Sequence, residues 1–252
     1  MPGRSFTLTS FNAHAGLRPR TNGSCVPYDL VDVLERIAGD ITVVQETWWP
    51  EGEPSLVAQA SERLGTQLFE LPFGRAVIAP WPHMRRDGTG PGAIGLSVLS
   101  RLPARLVREI PFGRVYNDHT PERGGLLLEI DTPDGPVDLV GLHLTSRLPY
   151  GPPIQLRRLR AQLPEPDRPA IVTGDCNFWG PGVVTFLPGW RRAVRGRTWP
   201  ARAPHSQIDH ILLHDGPNSA LRVLDAAVLP DVGSDHRPVR ATLTLETRAQ
   251  VR

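Results

Sequence analysis

Short apolar segments separated by turn-forming residues run along most of this chain. In the first of them, Phe6 and Leu8 occupy alternate positions, which is the period of a strand with one buried face. Alternation of this kind, or a compact β-branched run, predicts strands at residues 5–11, 40–44, 94–99, 124–130, 137–144, 170–173, 208–213 and 239–245.

Other stretches repeat with the period of a helix. Leu30, Leu34 and Ile37 fall on one face of such a helix, as expected for an element that packs against a core. Spacing of this kind predicts helices at residues 28–38, 55–64 and 154–163.

Residues that break regular structure are frequent between these elements. The 27 prolines and 24 glycines keep loops numerous and helices short. Many strands with interspersed helices predict two packed sheets flanked by helices, so we expect residues 1–252 to form one domain. Its most loop-like connections are predicted at residues 74–91, 114–123, 164–169 and 180–204.

Charge narrows the choice of partners only slightly. The formal net charge is +2, so charge alone predicts no nucleic-acid interface. All 28 basic residues are arginine, which excludes a Schiff-base lysine and a P-loop lysine. The bias fits either a GC-rich gene or the use of guanidinium groups to bind phosphate.

No sequence feature predicts export or membrane insertion. Cys25 and Cys176 are too few for a disulfide framework. Residues 1–16 lack the basic and apolar regions of a signal peptide, and no apolar run has the length of a transmembrane helix. We therefore expect a cytoplasmic protein without an obligatory protein partner.

A candidate for acid–base chemistry lies near the carboxyl end, where Asp235 and His236 precede an apolar strand. A carboxylate that keeps one imidazole nitrogen protonated leaves the other nitrogen free to take a proton from water. Asp-His dipeptides also occur at residues 118–119 and 209–210, so the pair alone decides little.

Three further polar residues lie where apolar strands end. Asn12 ends the first strand, a place where asparagine often serves a turn. Glu46 follows the apolar run at residues 41–45, and a carboxylate there is either solvated or needs a partner such as a metal ion. His143 alternates with apolar residues, and a lone histidine of this kind is more often a hydrogen-bonded core residue than a catalyst.

Two more carboxylates interrupt apolar strands. Asp175 and Asn177 are two positions apart and project to one side, where a carboxylate could position water and an amide could donate to an oxyanion. Cys176 points the other way and is interpreted as a packing residue. Asp209 is either exposed on an edge strand or buried with a partner.

Together these residues form an ordered series of motifs that resembles the endonuclease/exonuclease/phosphatase superfamily, the deoxyribonuclease-I-like metal-dependent phosphoesterases. A single motif would be weak, but all of them follow the family's order over almost the whole chain. The motifs are Ser10-Phe11-Asn12, Val44-Gln45-Glu46, Gly141-Leu142-His143-Leu144, Gly174-Asp175-Cys176-Asn177, Ile208-Asp209-His210-Ile211-Leu212 and Ser234-Asp235-His236-Arg237-Pro238-Val239.

The resemblance implies an α+β fold, a four-layer αββα sandwich of two packed, mostly antiparallel sheets flanked by helices. It also implies an Mg²⁺-dependent phosphoester hydrolase, with Mn²⁺ as a substitute. By this resemblance Glu46 is the main metal ligand, assisted by Asn12 and Asp235. Such a set suits Mg²⁺, which prefers oxygen ligands and retains several waters.

The same resemblance implies the catalytic roles. His236 acts as general base, and Asp209 orients it. Asp175 and Asn177 position the attacking water and stabilise the transition state, while His143 binds a non-bridging phosphate oxygen.

Two departures from the family pattern and one additional residue refine this interpretation. Cys176 stands where Phe or Leu is usual, but it faces away from the site, so activity should survive. His143 stands where apurinic-site endonucleases typically carry Tyr, which favours the other branches. Arg123 precedes a predicted strand and either binds the substrate phosphate or forms an ordinary surface ion pair.

Other classes of function fit less well. A zinc hydrolase would need His-Glu-x-x-His or Cys-x-x-Cys spacing, and a serine hydrolase a Gly-x-Ser-x-Gly elbow; neither occurs. A catalytically silent binding module of the same fold would not need every polar position filled. The substrate stays open between DNA or RNA, a small phosphorylated metabolite, and a lipid headgroup reached through an apolar hairpin at Ala79-Pro80-Trp81-Pro82.

Overall fold

Alternating apolar residues build two six-stranded sheets in the computed structural model, which describes residues 4–76, 92–163 and 167–247. In spatial order, sheet I contains β13 (Ser219–Val228), β14 (Val239–Thr247), β1 (Ser5–Asn12), β4 (Ile41–Pro50), β6 (Gly92–Ser100) and β5 (Gln67–Ala76). Sheet II contains β11 (Arg191–Arg192), β12 (Asp209–His214), β10 (Ala170–Asp175), β9 (Gly135–His143), β8 (Gly124–Thr132) and β7 (Ala104–Pro111).

Neighbouring strands are antiparallel in both sheets except at β1–β4 and β9–β10, which are parallel. The two sheets pack face to face over a core of aliphatic side chains that alternate along the inner strands. Among these are Leu8, Val43 and Leu96 from sheet I and Leu128 and Ile171 from sheet II.

Helices cover the outer faces of both sheets. Helices α1 (Leu30–Ile37) and α2 (Leu56–Leu64) pack on sheet I. Helix α3 (Gly151–Gln162) and a 3₁₀ segment, Gly180–Phe186, pack on sheet II. The predicted four-layer αββα sandwich and the three predicted helices are therefore confirmed.

Local signals explain where the helices of sheet I begin and end. Asp29 caps α1 by accepting a hydrogen bond from the backbone N–H of Asp32 at 2.9 Å. Ser55 caps α2 through the N–H of Ala58 at 3.0 Å, and Gly65 ends that helix in the left-handed region. A short hairpin of β2 (Leu17–Pro19) and β3 (Cys25–Pro27) lies ahead of α1. No helix of the described ranges combines the length and the apolar character needed to cross a membrane.

All eight predicted strands are present, and they are the eight interior strands of the two sheets. The sequence pattern missed the four edge strands, β5, β7, β11 and β13, and the β2–β3 hairpin. Edge strands have a neighbour on one side only; β7 exposes most of its side chains and β13 buries only Leu221 fully, so their apolar alternation is weak.

Two predicted connections were wrong in part. The stretch at 180–204 contains the 3₁₀ segment and β11, and the stretch at 74–91 begins inside β5. The apolar hairpin proposed at Ala79–Pro82 lies outside the described residues.

Candidate active site

The strand directions bring the predicted polar residues to one edge of the sandwich. The parallel pairs β1–β4 and β9–β10 end at this edge, and their antiparallel neighbours β8, β12 and β14 begin there. Residues that are far apart in sequence therefore meet where the two sheets face each other.

Glu46 reaches this edge through a β-bulge. The pairing of β4 with β6 shifts register between Gln45 and Thr47, which leaves Glu46 as an extra residue with a φ of 53°. A bulge redirects the side chain it carries, and a positive φ outside glycine marks a backbone held by its surroundings. The bulge thus turns the Glu46 carboxylate towards sheet II.

Asn12 joins carboxylates of the two sheets. Its Nδ2 donates to Glu46 Oε1 at 3.2 Å and to Asp175 Oδ2 at 3.0 Å. Its Oδ1 accepts the backbone N–H of His14 at 2.9 Å. In this geometry the amide of Asn12 positions two carboxylates, with its oxygen facing the backbone.

His236 and Asp209 form a buried pair. Nδ1 of His236 donates to Asp209, with Oδ2 at 2.9 Å and Oδ1 at 3.1 Å. The Nε2 of His236 then faces Asp175 Oδ2 at 3.8 Å. Ser234 holds the loop, since its hydroxyl donates to Asn12 O at 2.7 Å and accepts the N–H of His236 at 3.2 Å.

Burial and neighbouring charges shift the pKa values of Asp175 and His236. Burial raises the pKa of Asp175 to about 7, and the charge of Asp209 adds to this against the opposing effect of His236. Burial works against a charged His236, but the charges of Asp209 and Asp175 outweigh it, so the pKa of His236 is raised well above its usual value. The cluster formed by Asp175, Asp209 and His236 therefore keeps protons at pH values at which isolated side chains would release them.

His143 is a neutral donor aimed at the same carboxylates. Arg123 Nη1 lies 3.3 Å from His143 Nδ1, and because a guanidinium group only donates, Nδ1 is the acceptor and Nε2 carries the proton. That Nε2 lies 3.6 Å from Asp175 Oδ2 and 3.9 Å from Glu46 Oε1. Burial, followed by the charges of Arg123 and His236, lowers the pKa of His143 well below its usual value.

Arg123 is a cation held just behind the site. Its guanidinium carbon lies 5.3 Å from the centre of the Phe73 ring, and its buried Nε has no hydrogen-bond partner within the described residues. Of the two interpretations from sequence, the surface ion pair is wrong for this residue, because none of its contacts among the described residues is a salt bridge.

Asn177 and Asp235 lie further from the centre of the cluster. Asn177 donates its backbone N–H to Asp175 Oδ1 at 2.8 Å, and its side-chain nitrogen donates to a backbone carbonyl, Leu144 O, at 3.0 Å. Asp235 accepts from Trp199 Nε1 at 3.4 Å and lies 3.8 Å from His14 Nδ1. No side-chain hydrogen bond or ion pair within the described residues joins Asp235 to Asp175, Asp209 or His236.

Cys176 is fully buried in the outer core of sheet II, so its predicted packing role is confirmed. Sequence reasoning missed Tyr28, whose ring packs against Gly233 and whose hydroxyl donates to Ala13 O at 2.7 Å. Burial, then the charges of Asp235 and Glu46, raises the pKa of Tyr28 well above its usual value. Its place at the start of a predicted helix gave no sign of this contact.

The cluster fits a divalent cation. Ligand atoms of Asp175, Asp209 and His236 all lie within 4.8 Å of one another, and all three side chains are buried. Burial, and then the charge of Asp209, raises the pKa of Asp175, and a bound cation would offset both effects by stabilising the ionised carboxylate. Their oxygen atoms, with Glu46 beside them, are the donors that hard cations prefer.

Comparisons with known proteins agree with the fold. The model of the endonuclease/exonuclease/phosphatase family matches residues 9–236. An endonuclease/exonuclease/phosphatase from Beutenbergia cavernae has a similar structure, with a TM-score of 0.70 and 20% identity over 96% of this chain and 72% of the other. ANGEL2, described as a 2′,3′-cyclic phosphatase, has a TM-score of 0.66 and 13% identity over 96% of each chain.

TDP2 from D. rerio, solved with a single-strand DNA product, has a TM-score of 0.61 and 18% identity over 95% of this chain and 99% of the other. No curated protein matches this chain by sequence. The similar structures share the fold, and the family model covers strands of both sheets and every proposed site residue from Asn12 to His236. The chain belongs to the endonuclease/exonuclease/phosphatase family.

Proposed function

We propose that this protein is an Mg²⁺-dependent phosphoester hydrolase that cleaves phosphodiesters. The observation that carries the proposal is the pair of His236 and Asp209, whose imidazole Nε2 opens onto Asp175 at the edge where the two sheets meet. Proximity of an oriented imidazole to a buried carboxylate suits the activation of a water molecule.

In this proposal His236 Nε2 takes a proton from the attacking water. Asp209 holds the other nitrogen protonated and stabilises the imidazolium that forms. Asp175 fixes the water from the opposite side, and the Asn177 N–H that it accepts keeps its carboxylate in place.

Negative charge that develops on the phosphate is met by donors already in position. His143 directs Nε2–H towards the cluster, and Arg123 keeps it in that tautomer. Because His143 is buried and Arg123 is partly buried behind it, their interaction with an oxyanion is stronger than it would be in water. Arg123 is proposed to bind the substrate phosphate as well, because its buried Nε has no hydrogen-bond partner within the described residues.

Glu46 and Asp175 would hold the Mg²⁺ or Mn²⁺ ion, with Asn12 positioning both carboxylates. Asp235 is proposed as a further ligand through water, because its side-chain hydrogen bonds are with Trp199 and Ser234 and not with the other carboxylates. When bound, such an ion polarises the phosphoryl oxygen and lowers the pKa of a coordinated water.

The test is hydrolysis of bis(p-nitrophenyl) phosphate, p-nitrophenyl phosphate and supercoiled plasmid, each with Mg²⁺ and with EDTA. We expect cleavage of the diester with Mg²⁺ and its loss with EDTA. Release from the monoester alone would select a phosphomonoesterase acting on a metabolite or lipid headgroup. No turnover of any substrate would select a silent binding module, and chelator-insensitive turnover would overturn the metal requirement.

We further propose that the chain acts as one catalytic domain in the cytoplasm, on DNA or RNA or on another phosphoester. Pairing of β1 with β14 supports the first point, because strands from both ends of the sequence lie side by side in sheet I. Both cysteines are free and buried, which is compatible with a reducing compartment.

A further inference from the structure

A cavity of about 270 Å³ opens beside the proposed catalytic cluster. Ser234 and Asp235, which precede His236 in the same loop, form part of its wall. One side is formed by β2 and the turn that follows it, and the other by residues 200–203. Prolines and alanines make the walls apolar, while three guanidinium groups stand around them. The arginines are Arg18, Arg20 and Arg202.

Two of these arginines are uncommitted. Arg18 is paired with Asp231 at 3.1 Å and also donates to Gly233 O. Arg20 and Arg202 are exposed, and neither side chain has a hydrogen-bond or ion-pair partner in the part of the chain that the structure describes. The cavity lining therefore carries three guanidinium groups against two carboxylates, Asp231 and Asp235, a formal excess of one positive charge, and two of the guanidinium groups are free to bind an anion.

The far wall is fixed relative to the catalytic loop. The backbone N–H of Ala201 donates to Asp235 O at 2.7 Å, and Arg237 Nε donates to Ala201 O at 2.7 Å. The N–H of Arg237 donates to Thr198 O at 2.9 Å. A preformed wall tied to the residue next to His236 needs little ordering when a ligand binds.

We propose that this cavity binds a second, unreactive phosphate group of the substrate, together with the apolar body that joins it to the phosphate being cleaved. Arginine binds phosphate bidentately, and the apolar walls suit a ring or a short carbon chain. The volume is slightly below the roughly 300 Å³ at which ligand sites usually begin, so it suits one such unit. The inference rests on the proposed function.

Binding measured in EDTA tests the subsite without any turnover. The ligands are dithymidylate with a terminal 5′-phosphate, with a terminal 3′-phosphate and with neither, and fructose 1,6-bisphosphate against fructose 6-phosphate. The proteins are wild type, the double variant Arg20→Gln/Arg202→Gln, and a matched control, Arg101→Gln/Arg160→Gln. Both control arginines are exposed and do not line the cavity.

We expect the added phosphate to tighten binding by about tenfold in wild type and control, as charge-assisted hydrogen bonds to two arginines allow, and this advantage to fall below about threefold in the Arg20/Arg202 variant. An advantage confined to the dinucleotides identifies a nucleic-acid strand, and one confined to the bisphosphate identifies a small metabolite. Absence of any advantage, or its survival in the Arg20/Arg202 variant, overturns the subsite.

The proposed function is judged separately by hydrolysis of bis(p-nitrophenyl) phosphate, which carries one phosphate. If wild type fails to hydrolyse it while the added phosphate still tightens binding, the function is wrong and the subsite stands. If the diester is hydrolysed but the added phosphate brings no advantage, the subsite is wrong and the function stands.

Discussion

His236 is held between two carboxylates with different tasks. Asp209 accepts its Nδ1–H, whereas Asp175 faces its Nε2 across 3.8 Å, too long for a direct hydrogen bond, so Nε2 is left without a protein partner within the described ranges. Replacement of His236 by alanine should therefore remove the proposed general base while the hydrophobic core stays packed. For His236→Ala we expect kcat to fall on the order of 10²- to 10⁴-fold, measured with bis(p-nitrophenyl) phosphate and Mg²⁺. An unchanged kcat in a folded variant would contradict the assignment.

Asp209 is expected to act through His236, so its test is a pH profile. The charge of Asp209 raises the pKa of His236, and an amide in its place removes that charge. In Asp209→Asn the acidic limb of kcat/KM should therefore move to lower pH. A lower kcat/KM with an unmoved limb would indicate a purely structural role for Asp209.

The side chains of the site could be predicted from sequence because each of them ends or begins an apolar strand. The contacts between them could not, since Asn12 and Asp175 are separated by 163 positions and meet only through the packing of two sheets. The direction of the Asn12 amide depends on the backbone N–H of His14, which no periodicity reveals. The cavity beside Asp235 likewise joins loops that are distant in sequence.

At the scale of elements, the interior strands were predictable and the edge strands were not. A strand with neighbours on both sides buries alternate residues and carries a clear period. The edge strand β7 instead exposes most of its side chains and includes charged residues such as Arg105 and Glu109, so its sequence resembles a loop. The sequence pattern also does not reveal where two strand backbones approach each other closely, as they do at Gly174.

Gly174 lets β10 and β9 approach each other closely. Its φ is 146°, and a Cβ at this position would lie 1.9 Å from the backbone oxygen of Leu142. Gly174→Ala should therefore lower the free energy of unfolding by about 3 kcal/mol or more, measured by urea denaturation. The matched control is Gly52→Ala, where φ is 81° but no atom lies within 4 Å, and the loss should be about 1 kcal/mol. Equal losses in the two variants would contradict the steric argument.

Strand β12 presents neighbouring residues to opposite faces, Asp209 to the site and His210 to the outer layer. His210 is fully buried, its Nε2 donates to Phe178 O at 2.9 Å, and its Nδ1 has no partner in the described part of the chain. Burial lowers its pKa from 6.5 to about 4. Between these two pKa values His210 is protonated in the unfolded chain but neutral in the folded protein. Stability is therefore lost as the pH falls from 6.5 towards 4.

The pKa shift of His210 corresponds to a contribution of about 3 kcal/mol to the free energy of unfolding, and this contribution is fully present above pH 6.5. In His210→Gln the amide can still donate to Phe178 O but does not titrate, so the loss of unfolding free energy between pH 7 and pH 4.5 should be smaller than in wild type. His119→Gln, at an exposed position, is the control and should keep the wild-type slope. An unchanged slope in His210→Gln would assign the acid sensitivity to other groups, such as His143.

At the scale of the whole molecule, the site forms a bridge between the two sheets. Glu46 comes from sheet I, Asp175 and Asp209 come from sheet II, and Asn12 hydrogen bonds to a carboxylate of each sheet. Asp175 and Asp209 lie opposite each other on neighbouring strands of sheet II, and His236, from the loop before β14, joins them only when the two sheets are packed. A cation that binds this arrangement therefore binds the folded state and should stabilise the sandwich as a unit.

The Mg²⁺-dependent gain in stability measures this coupling directly. At an ion concentration ten times Kd, the unfolding free energy should rise by about 1.4 kcal/mol relative to EDTA, as judged by thermal or urea denaturation. Glu46→Gln removes the negative charge of a proposed ligand, so at the same Mg²⁺ concentration its gain should be well below that of wild type. Glu35→Gln, on α1 and away from the edge, should keep the full gain. A wild-type gain in Glu46→Gln would mean that the ion is held by Asp175 and Asp209 without the bulge of β4.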